Sequence, residues 1–255
     1  MADIPDLSQL YIGTSGWSYK HWSEVFYPVE LKSIKYLEYY TTHFECVELN
    51  ACFYYPPQEA TVKGWMDRTP DHFIFCPKMS RYITHLRRLK DTGGSMESFF
   101  KIFEGLKSKL GPFLVQLPPG FKYDMTLAKD FFTGLTEHYG DLRFAVEVRH
   151  KSWISDNFFS LLEQFGIAFV IADSGSRFPY YEAITADFLY MRFHGHEKLY
   201  ASDYPEWELK EYAAKIASWL EKEKAVYAFF NNDYGGYAVK NAKKLKELIG
   251  KSGID

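Results

Sequence analysis

The stretch FAVEVR (Phe144–Arg149) decides the fold expected for this chain. Successive side chains of a strand point to opposite faces, so Phe144, Val146 and Val148 share one face while Glu147 and Arg149 share the other. In a (β/α) barrel the outward face of a strand packs under helices, whereas inward groups at its carboxyl end form the active site. The stretch therefore predicts a barrel strand with Glu147 and Arg149 inside the mouth.

Two other apolar runs show the same alternation of apolar and polar residues. Glu48 and Asn50 share the polar face of one run, and Arg192 and His194 share the polar face of the other. Because the carboxyl ends of barrel strands meet at one rim, these side chains are expected to converge with those of Glu147. Three separate runs thus predict the same polar mouth.

Eight apolar runs alternate with segments of helical period, which is the pattern of βα units around a parallel sheet. The predicted strands are Tyr11–Thr14, Cys46–Asn50, Phe73–Lys78, Phe113–Leu117, Phe144–Arg149, Ile167–Asp173, Phe188–His194 and Val226–Asn231. The predicted helices are Ser33–Thr41, Gln58–Arg68, Met96–Leu110, Thr126–Tyr139, Trp153–Phe165, Glu206–Glu221 and Val239–Ile249. Little helical period occurs in Ser174–Asp187, so no complete helix is expected between the sixth and seventh strands. The sequence predicts one α/β domain over residues 1–255, a closed (β/α)8 barrel of the TIM type.

The composition is that of an ordinary globular protein, with 47% hydrophobic and 25% charged residues. A net charge of −3 argues against a surface that is basic all over and coats nucleic acid. The three cysteines lack a CxxC pair and fit neither a disulfide framework nor a closed zinc site. The N-terminus lacks the basic start and the apolar run of a secretory signal. No stretch of consecutive apolar residues approaches the length of about 18 that indicates a transmembrane helix. We expect a soluble cytoplasmic protein with no membrane partner.

Polar residues also follow or end the remaining predicted strands, namely Ser15, Lys78, Gln116, Asp173, Asn231 and Asp233. Burying charged groups costs free energy unless they pair with one another or meet a ligand. Two interpretations of this ring are open. It forms a binding site, which is where barrel proteins place such groups. Alternatively, it is an internal salt-bridge network, for example between Glu147 and Arg192, that closes the top of the barrel.

A series of motifs, taken in order, resembles the YecE-like family, also called domain of unknown function 72. They are GTSGWSY (13–19), VELNACFYYPP (47–57), FIFCPK (73–78) with ITH (83–85), QLPP (116–119), EVRHKSW (147–153), RFHG (192–195) and FNND (230–233). The match runs from Tyr11 to Ile249. The resemblance implies a TIM-type barrel in one domain and no settled activity. The chain departs from the family pattern at Ala51–Cys52, where small hydroxylated residues are expected.

The polar ring predicts acid and base chemistry on an anion. Glu48 and Glu147 are expected to face each other across the mouth, and His194 can titrate near neutral pH. Arginine and lysine in such a site favour phosphate or carboxylate groups. We predict an isomerase, lyase or hydrolase acting on a small phosphorylated or sugar-like anion, with Lys78 joining these three as catalytic residues. The predicted substrate-binding residues are Ser15, Trp17, Tyr19, Asn50, Phe53, His85, Gln116, Arg149, Trp153, Asp173, Arg192, Asn231 and Asp233.

Two alternative functions use overlapping residues. Oxygen and nitrogen donors for a divalent metal, as in a metal-dependent phosphoesterase, are offered by Glu48, Glu147, Asp173 and His194. The basic segment Lys78–Lys90 could instead clamp a nucleic-acid backbone, with aromatic side chains of the loops stacking on bases. Neither GxGxxG nor GxxxxGK[ST] occurs, so no dinucleotide cofactor is expected. The sequence leaves the oligomeric state open.

Overall fold

Every predicted apolar run forms a strand. The computed structural model describes residues 6–251; the secretory-signal prediction rests partly on residues 1–5, which lie outside the described residues. The strands are β1 (Leu10–Thr14), β2 (Cys46–Leu49), β3 (Ile74–Pro77), β4 (Phe113–Gln116), β5 (Phe144–Glu147), β6 (Ala168–Asp173), β7 (Phe188–Phe193) and β8 (Ala225–Phe230). The positions predicted as the last strand residues, such as Asn50 and Arg149, lie just beyond the ladders.

The strands pair in parallel within two sheets. A curled six-stranded sheet has the order β1-β8-β7-β6-β5-β4, and β2 pairs with β3 alone. Over residues 6–251, no continuous ladder joins β1 to β2 or β3 to β4. The parallel α/β fold is therefore confirmed, whereas the predicted single closed sheet is present only as these two ladders.

Individual contacts span the two junctions between the sheets. At the first junction, the Tyr40 hydroxyl accepts the Thr14 N–H at 3.0 Å and donates to the Cys46 carbonyl at 3.1 Å. The Tyr40 side chain thus links β1 to β2 where a continuous sheet would have a backbone–backbone hydrogen bond. At the second, single backbone bonds connect the end of β3 to β4, such as Met79 N–H to the Leu114 carbonyl at 2.8 Å. These contacts hold the β2–β3 pair against the larger sheet.

Helices fill the connections between most strands. They are α1 (Tyr36–Thr41), α2 (Ala51–Tyr54), α3 (Glu59–Asp67), α4 (Gly93–Ile102), α5 (Met125–Tyr139), α6 (Asp156–Gln164), α7 (Glu206–Leu220) and α8 (Tyr237–Lys251). As predicted, residues 174–187 form no helix between β6 and β7. In the described part of the chain, each helix is too short or too polar to cross a membrane.

Two helix predictions need correction, and one short helix was missed. The segment predicted as Met96–Leu110 is two elements, because α4 ends at Ile102 and 3-10 turns follow it. The helix predicted to start at Trp153 begins at Asp156 instead, since the Ser155 side chain accepts the Phe158 N–H at 3.3 Å and caps the helix there. The short α2 was not predicted, because a single turn is too brief to show helical periodicity.

The predicted alternation sorts strand residues into an outer and an inner layer. Val146 and Met191 pack in the large cluster that includes the helices. Ala145 and Tyr190 pack in a second cluster enclosed by the strands. The charged residues two positions beyond Ala145 and Tyr190 therefore lie inside, at the carboxyl ends of β5 and β7.

Candidate functional site

A cavity of about 510 Å³ opens at the carboxyl ends of the strands. Its wall combines cations, amides and aromatic rings from the loops that follow the strands. The lining residues are Tyr19, Asn50, Phe53, Tyr54, Lys78, Arg81, His85, Gln116, Arg149, Arg192, Tyr200, Asn231 and Asp233. We call this cavity the mouth.

A buried ionic layer forms the floor of the mouth. Arg192 donates from Nη2 to Oε1 of Glu48 at 2.7 Å and from Nη1 to Oε2 of Glu147. Glu48 also accepts the hydroxyls of Ser15 at 2.7 Å and of Tyr190 at 2.8 Å. One guanidinium therefore bridges the two predicted catalytic carboxylates, one from each sheet.

The pKa values of both carboxylates follow from this pairing. Burial opposes ionisation of Glu147, but Arg149, whose Nε lies 2.8 Å from Oε1, and Arg192 hold the pKa of Glu147 well below its usual range. Burial likewise opposes ionisation of Glu48, and Arg192 again outweighs it, so the pKa of Glu48 is lowered. Both groups are carboxylates at neutral pH. They stabilise buried cations and are poorly suited to donate a proton.

His194 lies beside this layer and is fully buried. Burial and the nearby Arg192 charge lower the pKa of His194 to about 4. The ring is therefore neutral at pH 7, so its 3.5 Å contact with Glu147 is not an ion pair under those conditions. Asn231 Nδ2 donates to Nδ1 at 3.0 Å, which places the ring proton on Nε2, toward Glu147.

Lys78 is the buried cation that faces the cavity. Its Nζ donates to Gln116 Oε1 at 2.7 Å and lies 4.1 Å from the centre of the Phe53 ring. Burial, together with repulsion from Arg192, lowers the pKa of Lys78 to about 7. The neutral form of the amine is therefore well populated at pH 7.

A second neutral base stands on the same wall. His85 is half-buried against Phe53, with ring centres 5.0 Å apart, and its Nε2 lies 3.5 Å from Gln116 Nε2. Burial and the charge of Lys78 lower the pKa of His85 to about 4. The imidazole can accept a proton from a ligand in the cavity.

The rim of the mouth is fixed by hydrogen bonds to the backbone. The Tyr19 hydroxyl donates to the Ser15 carbonyl, and burial raises the pKa of Tyr19. Trp22 Nε1 donates to the Asp233 carbonyl at 3.1 Å. Asn50 lies at the edge, where its buried Oδ1 has no hydrogen-bond partner among the described residues. That oxygen is available to a ligand hydroxyl or amine.

Four predicted substrate-binding residues do not line the mouth. Ser15 is buried beneath it, where its hydroxyl donates to Glu48, and the other three lie elsewhere. Trp153 is fully buried, and its Nε1 donates to the Phe121 carbonyl at 2.6 Å in the core. Trp17 packs edge-on against Trp65, with ring centres 5.8 Å apart. Asp173 lines a separate cavity of about 380 Å³. Proximity to a strand end in sequence placed all of them at the mouth. The loops turn the two tryptophans away, whereas Asp173 ends β6 on the outward face that it shares with Ile171, where its carboxylate accepts the Tyr212 hydroxyl of α7 at 3.0 Å.

The predicted metal ring is not assembled. One oxygen of each of Glu48 and Glu147 binds Arg192, and the other oxygens accept from Tyr190 and Arg149. Asp173 lies in the separate cavity. There Asp173 has His196 and Glu208 as neighbours, with donor atoms of all three within 4.8 Å of one another. Burial and the Asp173 charge raise the pKa of Glu208 to about 7.

The predicted basic segment Lys78–Lys90 divides between two environments. Lys78 and Arg81 line the mouth. Arg87 instead pairs with Asp91 at 3.0 Å on the surface. The segment therefore does not present one continuous basic strip.

Sequence reasoning missed Tyr190 and Tyr200 at or beneath the mouth, and it assigned Arg81 to the basic segment and Tyr54 to the loop aromatics rather than to the substrate site. Tyr190 was detectable, because it shares the inward parity of Arg192. Tyr200 was not, since a loop after β7 brings it near His194, with ring centres 5.6 Å apart, and loops have no period.

Comparison with known proteins supports both the fold and the family. The family described as "Protein of unknown function DUF72" matches residues 11–254. The UPF0759 protein YunF of Bacillus subtilis is 29% identical over 94% of each chain. The UPF0759 protein YecE of Escherichia coli is 30% identical over 57% of this chain and 50% of its own length.

Solved structures agree with this assignment. The crystal structure of a DUF72 family protein from Thermotoga maritima has a TM-score of 0.85 at 33% identity, covering 94% of this chain and 98% of that one. A psychrophilic glycoside hydrolase family 10 endo-β-1,4-xylanase has a TM-score of 0.50 at 9% identity over 90% of this chain and 89% of its own, which is a likeness of fold alone. The resemblance found in the motifs is confirmed: this chain belongs to the DUF72 family.

Proposed function

We propose that this protein is an enzyme that binds a small phosphorylated or sugar-like anion in the mouth and moves protons there. The observation that carries the proposal is the set of four cations, Lys78, Arg81, Arg149 and Arg192, on the wall of one 510 Å³ cavity. A concave site of this size with a few convergent polar groups is the usual form of a small-molecule site.

The balance of charge supports an anionic ligand. Arg192 and Arg149 offset the two carboxylates of Glu48 and Glu147 within the ionic layer. The charges of Arg81 and, when protonated, Lys78 remain over the cavity, against the single carboxylate of Asp233. Arginine favours oxyanions because its fork can donate two parallel hydrogen bonds.

The proton-transfer groups differ from those that the sequence alone favours. Lys78 titrates near pH 7, and a catalytic acid or base works best with a pKa near the operating pH. Neutral His85 lies on the same wall. Glu48 and Glu147 act in this proposal by fixing Arg192 and by setting the local potential, with His194 beside them. Isomerase, lyase and hydrolase reactions are all compatible with this set.

The proposal treats the eight strands as one closed barrel in one cytosolic domain. Support for closure comes from the Tyr40 hydroxyl and the single backbone bonds at the two sheet junctions. Support for one domain comes from the packing of α8, near the end of the chain, against β1. Three free buried cysteines fit a reducing compartment.

Calorimetric titration with inorganic phosphate and with sugar phosphates tests the anion site. Arg81→Met should weaken binding at least tenfold and leave the unfolding temperature unchanged, because Arg81 is exposed and lies outside the ionic layer. Arg143→Met is the matched control, since Arg143 precedes β5 at the opposite end of the barrel from the mouth. Equal affinities of both variants and the wild type would refute the proposal. Binding of DNA or RNA that weakens steeply with salt would favour the nucleic-acid alternative.

A further inference from the structure

The Lys78 amine is positioned to react covalently as well as to bind. We propose that Lys78 forms an imine with the carbonyl carbon of an aldehyde or ketone that carries a phosphate or similar anionic group. This inference rests on the proposed anion site and specifies the chemical class of its substrate.

Two buried lysines of this chain differ in how their amines are satisfied. The Nζ of Lys109 donates to the Met66 carbonyl at 3.0 Å, and to the carbonyl and hydroxyl of Thr69 at 2.8 and 3.1 Å. Three acceptors match the three donors of an ammonium group. Lys78 has one such acceptor in the described chain, Gln116 Oε1. Its amine therefore keeps hydrogen-bonding capacity that a ligand can use.

The surroundings of Lys78 favour the uncharged amine that attacks a carbonyl. The Phe53 ring lies 4.1 Å from Nζ and shields it from water. Arg192 and Arg149 add positive charge nearby, and together with burial they outweigh the opposing charges of Glu147 and Glu48. Burial and these cations lower the pKa of Lys78 to about 7. A lysine at the ordinary pKa of about 10.4 is neutral in only about 1 of 2,500 molecules at pH 7. The neutral fraction of Lys78 is about a thousandfold larger.

The proposed step is balanced without any further reactant. The Nζ lone pair attacks the carbonyl carbon, and the carbon–oxygen π pair moves to oxygen to give a carbinolamine. The remaining carbon–oxygen bond then breaks, and the oxygen leaves as water with two protons from the amine. A carbon–nitrogen double bond replaces the carbon–oxygen one, and nothing is oxidised or reduced.

The neighbouring groups suit the reaction that follows an imine. A protonated imine withdraws electrons from the adjacent carbon, so a proton on that carbon becomes acidic. Neutral His85 lies on the same cavity wall and can accept it. Arg81 and Arg149 would hold the anionic group of the substrate meanwhile. Imine-dependent isomerisation or carbon–carbon cleavage fits this arrangement.

Reductive trapping tests the inference on the full chain. The protein is mixed at pH 7 with glycolaldehyde phosphate and sodium cyanoborohydride, which delivers hydride to the imine carbon and leaves a stable secondary amine. Peptide mass spectrometry then locates the label. We expect Lys78 to be labelled at least tenfold faster than the exposed Lys122, with inorganic phosphate slowing the labelling of Lys78 alone. Buried Lys109 should remain unlabelled.

Two variants separate reaction from binding. Lys78→Arg keeps a cation but forms no imine under these conditions, so the label at this position should vanish while phosphate affinity stays within a few-fold. Lys78→Met should also lose the label. Because methionine is no larger than lysine, this variant shows that the loss does not come from poor packing of the larger arginine.

The possible outcomes distinguish the two proposals. If phosphate binds but Lys78 is labelled no faster than Lys122, the imine is overturned and the anion site stands. If phosphate does not bind and Lys78 is not preferred, both are overturned. If phosphate does not bind and neutral glycolaldehyde labels Lys78 as fast as its phosphate, the reactive amine is supported and the anionic substrate class is overturned.

Discussion

Lys109 and Lys78 are both buried, but they lie at opposite ends of the strands. Lys109 precedes β4, and its amine meets three backbone or hydroxyl oxygens. Lys78 follows β3, and its amine meets one side-chain amide and the cavity. The amino-terminal end of a barrel serves stability, and the carboxyl end carries function. The number of acceptors around a buried cation distinguishes these roles where burial alone does not.

The two arginines that flank β5 repeat this contrast. Arg143, before the strand, has a side chain that is 48% exposed and lies 3.9 Å from Asp187. Arg149, after it, has a side chain only 11% exposed and donates to Glu147 at 2.8 Å. The same residue type is thus a surface charge at one end and part of the ionic layer at the other.

The largest effect should come from removing the centre of that layer. Arg192→Met leaves Glu48 and Glu147 buried without their shared cation, and breaking a buried pair in this way costs about 3–5 kcal/mol. Urea denaturation measures the loss. A loss below about 1 kcal/mol would mean that the buried ionic layer beneath the mouth does not stabilise the fold.

The pH dependence of stability should report the Lys78 environment. Lys78 has a pKa of about 7 when folded and about 10.4 when unfolded. Between these values the unfolded chain binds more protons, so the free energy of unfolding rises with pH. The difference in unfolding free energy between wild type and Lys78→Met should therefore increase, by a few kcal/mol, from pH 7 to about 10. If this difference did not change with pH, the pKa of Lys78 in the folded protein would be ordinary, as expected of a lysine whose three donors all have acceptors.

At the other end, Lys109→Met should destabilise the protein by about 1–3 kcal/mol, because buried oxygens of Met66 and Thr69 lose their donor. Phosphate affinity should not change. Denaturation and calorimetry on the same sample check both parts. Weakened phosphate binding in a folded Lys109→Met protein would contradict the separation of the two ends.

The smallest effect is expected for Trp153→Phe. The change removes the indole N–H that bonds to the Phe121 carbonyl and leaves most of the ring packing, which costs about 1 kcal/mol. Since Trp153 lies in the core, phosphate affinity should match wild type in calorimetry. A marked loss of phosphate affinity with an unchanged free energy of unfolding would instead support the prediction that Trp153 binds the substrate.

Strand positions were predictable because their signal is local. Apolar alternation around Glu48, Glu147 and Arg192 fixed their inward direction, and it would also have found Tyr190. Closure into one ladder was not predictable, because a pattern along each strand says nothing of whether neighbouring strands hydrogen-bond or are bridged by Tyr40.

The roles of the charged residues were less predictable than their positions. The sequence left open whether the polar ring was a site or a salt-bridge network, and the structure contains such a network, with Arg192 between Glu48 and Glu147, beneath the cavity. A pKa near 7 for Lys78 depends on burial and on cations from other strands, which no spacing reveals. Trp153 was misplaced because its loop path depends on tertiary packing. Asp173 has the outward parity of Ile171 on β6, so the alternation along that strand would have excluded it from the mouth.

The bridge made by Arg192 also links the surroundings of Lys78 to the contact between the two sheets. Glu48 belongs to the β2–β3 pair, whereas Arg192 and Glu147 belong to the six-stranded sheet, and Lys78 follows β3. Without the β2–β3 pair docked against the six-stranded sheet, the mouth would not be enclosed, and Lys78 would be hydrated and charged. The lowered pKa of Lys78 therefore depends on the contact between the two sheets.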